Sequence, residues 1–157
     1  DCSHEVLNLL AERVLKYTFP DPQNDHLKVL MAGCGVTRRA VIDSMENKKD
    51  DLVEAVNQMR ETFVDALGFL EREHPHWEDG WLSLFQYKID TEMDIVGKIE
   101  NIQEIKSKAR DDWQIALERW KNSPLIWISC ASWFESQLHL KSECKEIYKI
   151  AITKLNG

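Results

Sequence analysis

Large apolar side chains recur three and four residues apart along almost the whole chain, which is the spacing of one helix face. The clearest stripe predicts a helix from Asp51 to about Glu73. Its apolar members are Leu52, Val56, Met59, Phe63, Ala66, Leu67 and Leu70. No segment shows a convincing strand pattern of alternating apolar and polar residues. The pattern therefore predicts an all-helical protein.

Three shorter helices are predicted ahead of this stripe. The first covers residues 4–17 and ends before Pro20, because proline disfavours helical geometry in the residue that precedes it. Its apolar face consists of Val6, Leu9, Leu10, Val14 and Tyr17. The second helix covers residues 24–32 and the third covers 37–45. Between them, the run Gly33-Cys34-Gly35 predicts a break, since glycine is a poor helix former.

Four more helices are predicted after Pro75, which interrupts the long stripe. Their predicted ranges are 81–96, 99–120, 127–138 and 141 onward. Gly97 and Pro124 mark two of the breaks between them. The side chains predicted to face inward from the last helix are Ile147, Tyr148, Ala151, Ile152 and Leu155.

An eight-residue pattern occurs three times on these helices. Each copy has a basic residue, two variable residues, an aromatic, two more variable residues, an alanine and a large aliphatic residue. The copies contain Arg60, Phe63 and Ala66, then Arg110, Trp113 and Ala116, then Lys145, Tyr148 and Ala151. They start 50 and 35 residues apart, and periods in the mid-thirties to mid-forties are typical of helical repeat proteins. We therefore expect antiparallel helix pairs stacked into an array.

The residue types of this octet suit the second helix of a packed helix pair. The alanine lets two helices approach closely, and the aromatic, three residues before it, fills the space between neighbouring helices. The basic residue can snorkel or pair with an acidic residue on an adjacent helix. A proline follows each of the first two octets, and a tryptophan then opens the next helix. These pairs are Pro75 with Trp81 and Pro124 with Trp127.

These residues resemble the half-a-tetratricopeptide (HAT) repeat, whose first helix carries a tryptophan, a second aromatic and then an acidic residue. Trp127, Trp133 and Glu135 match that helix. Trp81 and Tyr87 match it too, with the acidic residue displaced by one position. The octets resemble the second helix of the family, which carries a basic residue, an aromatic and an Ala-Leu pair.

The resemblance covers residues 52–157 and implies an α-solenoid of stacked antiparallel helix pairs. We accordingly expect HAT-like repeats over residues 47–157. A helical segment over residues 1–46 is expected to pack on this array or cap it. Residues 91–108 make a longer spacer than the family has, which accounts for the interval of 50 residues between the first two octets.

HAT repeats belong to RNA-processing proteins, so the resemblance implies a nuclear, non-catalytic scaffold that docks protein partners. Such proteins serve splicing, spliceosomal RNP recycling, RNA 3′-end processing and nuclear RNA surveillance, and the stretch from Glu73 to Trp81 resembles the recycling factor in particular. The resemblance also allows a homodimer through the repeat array. A tetratricopeptide-like adaptor for a peptide is an alternative, because Trp127, Ala131 and Phe134 also fit that repeat. A small helical enzyme or ligand-binding bundle is the third hypothesis.

The charge balance narrows the choice of partner. The chain has 27 acidic and 20 basic side chains and a net charge of −7. No basic block is longer than Arg38-Arg39 or Lys48-Lys49, so we expect direct RNA binding to be weak or absent. No apolar run reaches the roughly 18 residues of a membrane-spanning helix, so we expect no membrane partner. The first residue is Asp1 rather than Met, which indicates a piece of a longer protein.

No residue pattern predicts catalysis or a cofactor, since the chain has no P-loop, dinucleotide-binding glycine motif or nucleophile elbow. His74 and His76 flank a proline, and without a third ligand they are expected to lie in a solvated turn rather than hold a metal. Four cysteines, Cys2, Cys34, Cys130 and Cys144, are expected to be free thiols. The acidic pair Asp111-Asp112 is expected on a solvated helix face.

Two tryptophans are candidates for contact with a protein partner. Trp77 precedes a predicted helix and belongs to no apolar stripe. Trp133 lies about 100° from the centre of the face formed by Trp127 and Phe134. Either ring, if exposed, would suit a protein interface, where tryptophan is enriched among the residues that dominate binding. In a stacked array, however, Trp133 would be enclosed by neighbouring helices.

Overall fold

The structure, a computed structural model, describes Glu5, Leu9 and residues 21–156. Within the continuous range it contains six α-helices: α1 (Pro22–Glu46), α2 (Leu52–Glu73), α3 (Glu78–Asp94), α4 (Ile102–Arg119), α5 (Pro124–Trp133) and α6 (Lys141–Asn156). The described residues include no strand, which confirms the all-helical prediction. The predicted helix at 4–17, including Val6, Leu10, Val14 and Tyr17, lies outside the described residues except for Glu5 and Leu9, which are helical and exposed.

Helix α1 continues through Gly33 and Gly35, so the predicted break there is wrong. Its buried positions are three or four residues apart across both glycines: His26, Leu30, Cys34, Thr37, Val41 and Ser44. Packing of this stripe on α2 offsets the roughly 1 kcal/mol that a glycine costs inside a helix. A side-chain carbon at Gly35 would lie 3.4 Å from the Tyr87 hydroxyl of α3. Three of the six buried residues are His, Thr or Ser, so the spacing of apolar residues alone does not reveal this stripe.

The chain folds as two compact units, Asp1–Thr91 and Glu92–Gly157. The division predicted at residue 46 falls inside the first unit. There α1 packs along α2, and the Ser44 hydroxyl donates a hydrogen bond of 2.7 Å to the Asp51 carboxylate across the intervening turn. Helix α2 agrees with its predicted stripe, and its buried residues are Val56, Met59, Phe63, Ala66, Leu67 and Leu70.

In the second unit, α4 packs on α5 and α5 packs on α6. A 3₁₀ turn at Val96–Lys98 precedes α4, whose N-terminus is capped by the side chain of Asn101. This turn contains the break predicted at Gly97. Helix α5 begins with Pro124 at its first position and is capped by the Ser123 hydroxyl, in agreement with the predicted proline turn.

Several predicted helix limits need correction: α4 begins at Ile102 rather than at residue 99, and α5 begins at Pro124 rather than at Trp127. Helix α3 begins at Glu78, three residues before Trp81, because acidic residues at positions 78 and 79 suit the first turn of a helix. Helix α5 is α-helical only to Trp133. A π-helical turn, Phe134–Leu138, completes it, and His139 then adopts a left-handed conformation with φ of 55°. That conformation ends the helix before α6.

The inward face of α6 is narrower than predicted. Cys144 and Ala151 are buried on the side where α5 packs. Ile152 and Leu155 are 56% and 61% exposed, so their predicted inward orientation is wrong. The two positions share one side of the helix, since residues three apart are neighbours on a helix surface.

Candidate docking sites

The aromatic residue of the octet makes a corresponding contact in each unit. Phe63 on α2 meets Tyr87 on α3 edge to face, with ring centroids 5.4 Å apart. Trp113 on α4 meets Trp133 on α5, with centroids 6.4 Å apart. In both pairs the octet aromatic contacts the second HAT-like aromatic of the helix that follows it. The structure thus brings four sequence-predicted residues together in two matching pairs.

The octet alanines are also buried where helices pack. Ala66, Ala116 and Ala151 have exposed fractions of 4%, 1% and 0%. A small side chain at a buried position lets neighbouring helices lie close together. The structure therefore agrees with the reason given for alanine in the pattern.

The basic residue of the second octet pairs with an acidic residue on another helix, as predicted. Arg110 donates a hydrogen bond of 2.6 Å from Nη2 to the Glu143 carboxylate on α6. Its guanidinium also lies over the Phe134 ring, 5.6 Å from the centroid, where a cation–π attraction operates. Arg60, the equivalent residue of the first octet, is half-buried, and Lys145 of the third is exposed.

A surface groove of about 380 Å³ lies beside this ion pair, between α4 and α6. Its apolar lining residues are Leu117 on α4, Phe134 in the π-helical turn and Ile147 on α6. Its polar lining residues are Gln114, Ser142, Glu143 and Glu146. Phe134 is almost fully buried, whereas Leu117 and Ile147 are half-buried. The groove therefore has an apolar floor, partly open to solvent, and an acidic edge on α6.

The π-helical turn gives Phe134 its place in this groove. Phe134 is the first residue of the turn, and its carbonyl accepts the N–H of His139 and that of Leu140. Such turns are rare and recur at functional sites in α-helices. The ring of Phe134 packs against Trp133 at 5.9 Å on one side, with Arg110 over it.

Glu135 lies beside the thiol of Cys144 and near the phenol of Tyr148, both on α6. The Cys144 thiol donates a weak hydrogen bond of 3.6 Å to the Glu135 carboxylate. Burial, then the charge of Glu135, raise the pKa of Cys144. Burial, Cys144 and Glu135 raise the pKa of Tyr148 in the same way. Both shifts therefore favour the protonated thiol and the protonated phenol.

The two HAT-like tryptophans have different surroundings. Trp81 is buried, stacks on Phe85 with centroids 4.9 Å apart, and points its indole N–H at the Glu71 carboxylate, 3.5 Å away. Trp127 is half-buried and donates its indole N–H to the Lys121 carbonyl at 3.0 Å. The Lys154 ammonium lies 5.1 Å from the centre of the Trp127 ring.

Trp77, the first candidate anchor, is half-buried in a cluster around two histidines. Its ring lies on Gly80, where an added side-chain carbon would come within 2.2 Å of it. It also packs against His74, with centroids 5.9 Å apart. Part of the ring stays accessible, so Trp77 remains a candidate for partner contact.

His74 was predicted to lie in a solvated turn, but it is half-buried and contacts His26 of α1. The His26 Nδ1 and His74 Nε2 atoms are 3.0 Å apart, and the His26 ring packs edge to face on Phe69. Burial, followed by the charge of His26, lowers the pKa of His74, and Glu73 raises it slightly in opposition. His76 is exposed as predicted.

Trp133, the second candidate anchor, is buried. It is enclosed by Trp113 on α4 and by Phe134, so the exposed-anchor hypothesis is wrong for this residue in the second unit. The ring is buried because a middle helix packs against neighbours on more than one side, which was the alternative stated for Trp133 from the sequence. Trp133 therefore supports the interior of the groove rather than its surface.

The described cysteines are free and buried, as predicted. Burial raises the pKa of Cys34 and of Cys130 to about 12. Cys2 lies outside the described residues. The part of the chain that the structure describes contains no group of three or more His, Cys, Asp or Glu side chains arranged to hold a metal ion. None of its helices combines the length and the apolar character needed to cross a bilayer.

Sequence reasoning missed the groove and the histidine contact. Phe134 and Ile147 were recognised only as stripe members, and a helical wheel cannot show a space between two helices. His26 lies 48 residues from His74. Its one detectable signal is its place, four residues before Leu30, in a stripe that continues through the glycines.

No protein-family model matches this chain, and comparisons with curated proteins and with solved structures find no match.

Proposed function

We propose that this chain is a HAT-type repeat scaffold that docks protein partners in nuclear RNA processing and has no catalytic role of its own. On this proposal, the helix pairs stack as an α-solenoid, and partners bind to its exposed apolar surfaces. RNA reaches the complex through those partners. The RNA pathway follows from the resemblance, whereas the structural support concerns the repeat and its surfaces.

The observation that carries the proposal is the recurrence of one contact. Phe63–Tyr87 and Trp113–Trp133 join the same two pattern positions in two different units. A helical bundle without an internal repeat has no reason to place two octets 50 residues apart in the same relation to the next helix. The recurrence supports repeat architecture, and repeat arrays present extended surfaces for binding.

Exposed apolar side chains support docking on the second unit. Ile152 and Leu155 share one side of α6 and are mostly exposed. The groove between α4 and α6 adds a second apolar surface. Contiguous exposed apolar area is a marker of protein interaction sites.

Affinity purification from nuclear extract tests the proposal, with the chain as bait and nuclease treatment before elution. We expect mass spectrometry to recover RNA-processing proteins that stay bound after the RNA has been digested. Binding of a bare single-stranded RNA oligonucleotide should be weak, because 27 acidic side chains oppose 20 basic ones.

Matched surface variants make this experiment specific. Ile152→Glu with Leu155→Glu changes the exposed side of α6, and Val53→Glu with Val64→Glu makes the same change on exposed positions of α2. We expect the first pair to remove at least one RNA-processing protein and the second pair to retain it. Recovery that depends on intact RNA, or a partner set without RNA-processing proteins, would contradict the proposal.

A further inference from the structure

We propose that the groove between α4 and α6 binds an amphipathic helical segment of a partner protein, with large aliphatic residues on one face flanked by Lys or Arg. This inference rests on the proposed docking function and assigns it a place and a partner chemistry. The groove consists of the lining side chains described above, with Phe134 at its floor. The inference follows from the apolar floor, the acidic edges and the open shape of the groove.

The floor of the groove calls for an aliphatic occupant. Leu117 and Ile147 line it from opposite helices over Phe134, and neither is fully covered in the chain itself. Ile150, 40% exposed, lies three residues after Ile147 and continues the apolar row along α6. A segment with apolar residues at helical spacing matches a row of this kind, which is the helix-in-groove mode of recognition.

The edges of the groove select positive charge. On α6, Glu143 and Glu146 line it. On α4, Asp111 and Glu118 are exposed and lie three residues before and four residues after Gln114, along the same side of the helix. Two acidic side chains therefore line the groove on α6, and two more lie on the side of α4 that carries Gln114.

Basic residues of the chain itself only partly neutralise these edges. Arg110 binds Glu143 at 2.6 Å and Lys149 binds Glu146 at 3.3 Å, and all four side chains are more than a third exposed. Lys121 adds a positive charge one turn beyond Leu117. Exposed pairs of this kind contribute little stability, so a partner's Lys or Arg can compete for the carboxylates. Complementary charge then sets the orientation and the specificity of the bound segment.

Three synthetic 15-residue peptides test the inference. All carry leucine at the same helical spacing, and the remaining positions are Lys and Arg, Asp and Glu, or Gln. Dissociation constants come from fluorescence anisotropy with the intact chain, and amide chemical shifts locate the bound peptide. We expect the basic peptide to bind at least tenfold more tightly than the acidic one and to shift residues of α4 and α6 around Phe134.

Two matched substitutions separate the groove from general attraction to an acidic protein. Glu146→Lys reverses a charge at the groove, and Glu61→Lys reverses one at an exposed position of α2. Binding of the basic peptide should weaken about tenfold in the first variant and stay within twofold in the second. Circular dichroism checks that both variants retain their helices. Leu117→Ser, with Val64→Ser as its control, tests the apolar floor in the same way.

Several results would overturn the inference. Equal losses in Glu146→Lys and Glu61→Lys would reduce the effect to net charge, and equal binding of the acidic peptide would remove the role of the edges. Concentration-dependent dimerisation that Glu146→Lys abolishes would assign the groove to a second copy of the chain. If RNA-processing partners bind the chain and ignore every groove variant, the docking function stands and the groove assignment fails. If the basic peptide binds the groove but no RNA-processing protein binds the chain, the groove assignment stands and the proposed function fails.

Discussion

The two units use the same aromatic contact but surround it differently. In the first, Phe63 of α2 meets Tyr87 of α3, and Trp81 is stacked on Phe85 inside the unit. In the second, Trp113 meets Trp133 just before the helix turns into a π-turn. Trp127 has Ala131 where Trp81 has Phe85, so no ring stacks on it at that position, and it stays half-exposed under Lys154.

The difference shows that one sequence pattern can lie beside two different surfaces. In the first unit, α3 is α-helical throughout and its Trp81 and Phe85 rings are buried. The π-turn of the second unit places Phe134 at the bottom of an open groove, with Arg110 over its ring. The octet therefore accompanies the interior contact in both units, whereas residues outside the octet differ between the two surfaces.

Truncating the octet aromatics should have the largest effect. Trp113→Ala and Phe63→Ala each remove a ring that is 1% exposed, and we expect each to lower the free energy of unfolding by about 3–5 kcal/mol. Urea denaturation followed by circular dichroism measures the change. Double-mutant cycles with Trp133→Ala and Tyr87→Ala should show a coupling of about 0.5–1.5 kcal/mol in both units. Coupling in one unit alone would break the equivalence of the two contacts.

Enlarging the octet alanines should be the next most damaging change. Ala66→Trp, Ala116→Trp and Ala151→Trp insert a large ring at buried positions, and we expect each to cost about 1–3 kcal/mol or more. Ala32→Trp, at an exposed position of α1, is the control and should change stability by no more than about 0.5 kcal/mol. Thermal melts that show no loss at the buried sites would mean that the alanines are not needed for close packing.

Replacing the α1 glycines should sharpen the account of the first unit. Gly33→Ala meets open space and should stabilise the helix by about 0.5–1 kcal/mol. Gly35→Ala places a carbon 3.4 Å from the Tyr87 hydroxyl and should gain less. Chemical denaturation of both variants measures the difference. A larger gain at Gly35 would contradict the close approach of α1 to Tyr87.

Removing the surface cation of the second octet should have a smaller effect. Arg110→Ala loses the pair with Glu143 and the contact with Phe134, and we expect a loss of up to about 1 kcal/mol. Lys149→Ala, which breaks a more exposed pair, should change stability within about 0.5 kcal/mol of zero. A loss several times larger at Arg110 would indicate that it holds the groove together.

Acidification should have the smallest effect on the free energy of unfolding. The effect should come from His74, which lies in the first unit. The pKa of His74 is lowered by folding, so the unfolded chain binds a proton more readily than the folded one. Stability should be complete above the unfolded pKa of about 6.5 and fall as the pH drops below it, until the folded state is protonated too. Urea denaturation between pH 8 and 5 measures this. His74→Gln should flatten the dependence, whereas His76→Gln, at an exposed position, should leave it.

The sequence predicted the helices with strong apolar stripes well and the irregular features poorly. The stripe from Leu52 to Leu70 corresponds to α2 because seven apolar residues leave no other face to bury. The break predicted at the α1 glycines is wrong because the free energy that a glycine costs inside a helix is smaller than the free energy gained by burying residues such as Leu30 and Val41. The π-turn at Phe134 depends on how α5 and α6 meet, and no local propensity encodes it.

The octet predicted the kind of partner for its basic residue but not which residue that partner would be. Arg110 was expected to pair with an acidic residue, and the structure supplies Glu143, 33 residues away. Trp133 was ambiguous because a helical wheel gives a direction and no neighbours. The contact of His26 with His74 was missed because it joins the start of one helix to the end of the next.

The buried cysteines make the two units separately observable. Cys34 belongs to the first unit, and Cys130 and Cys144 belong to the second. A thiol with a raised pKa and no access to solvent cannot react with an alkylating reagent until the structure around it opens. With Cys2 and Cys144 replaced by Ser, the labelling rates of Cys34 and Cys130 therefore report the opening of the first and of the second unit separately.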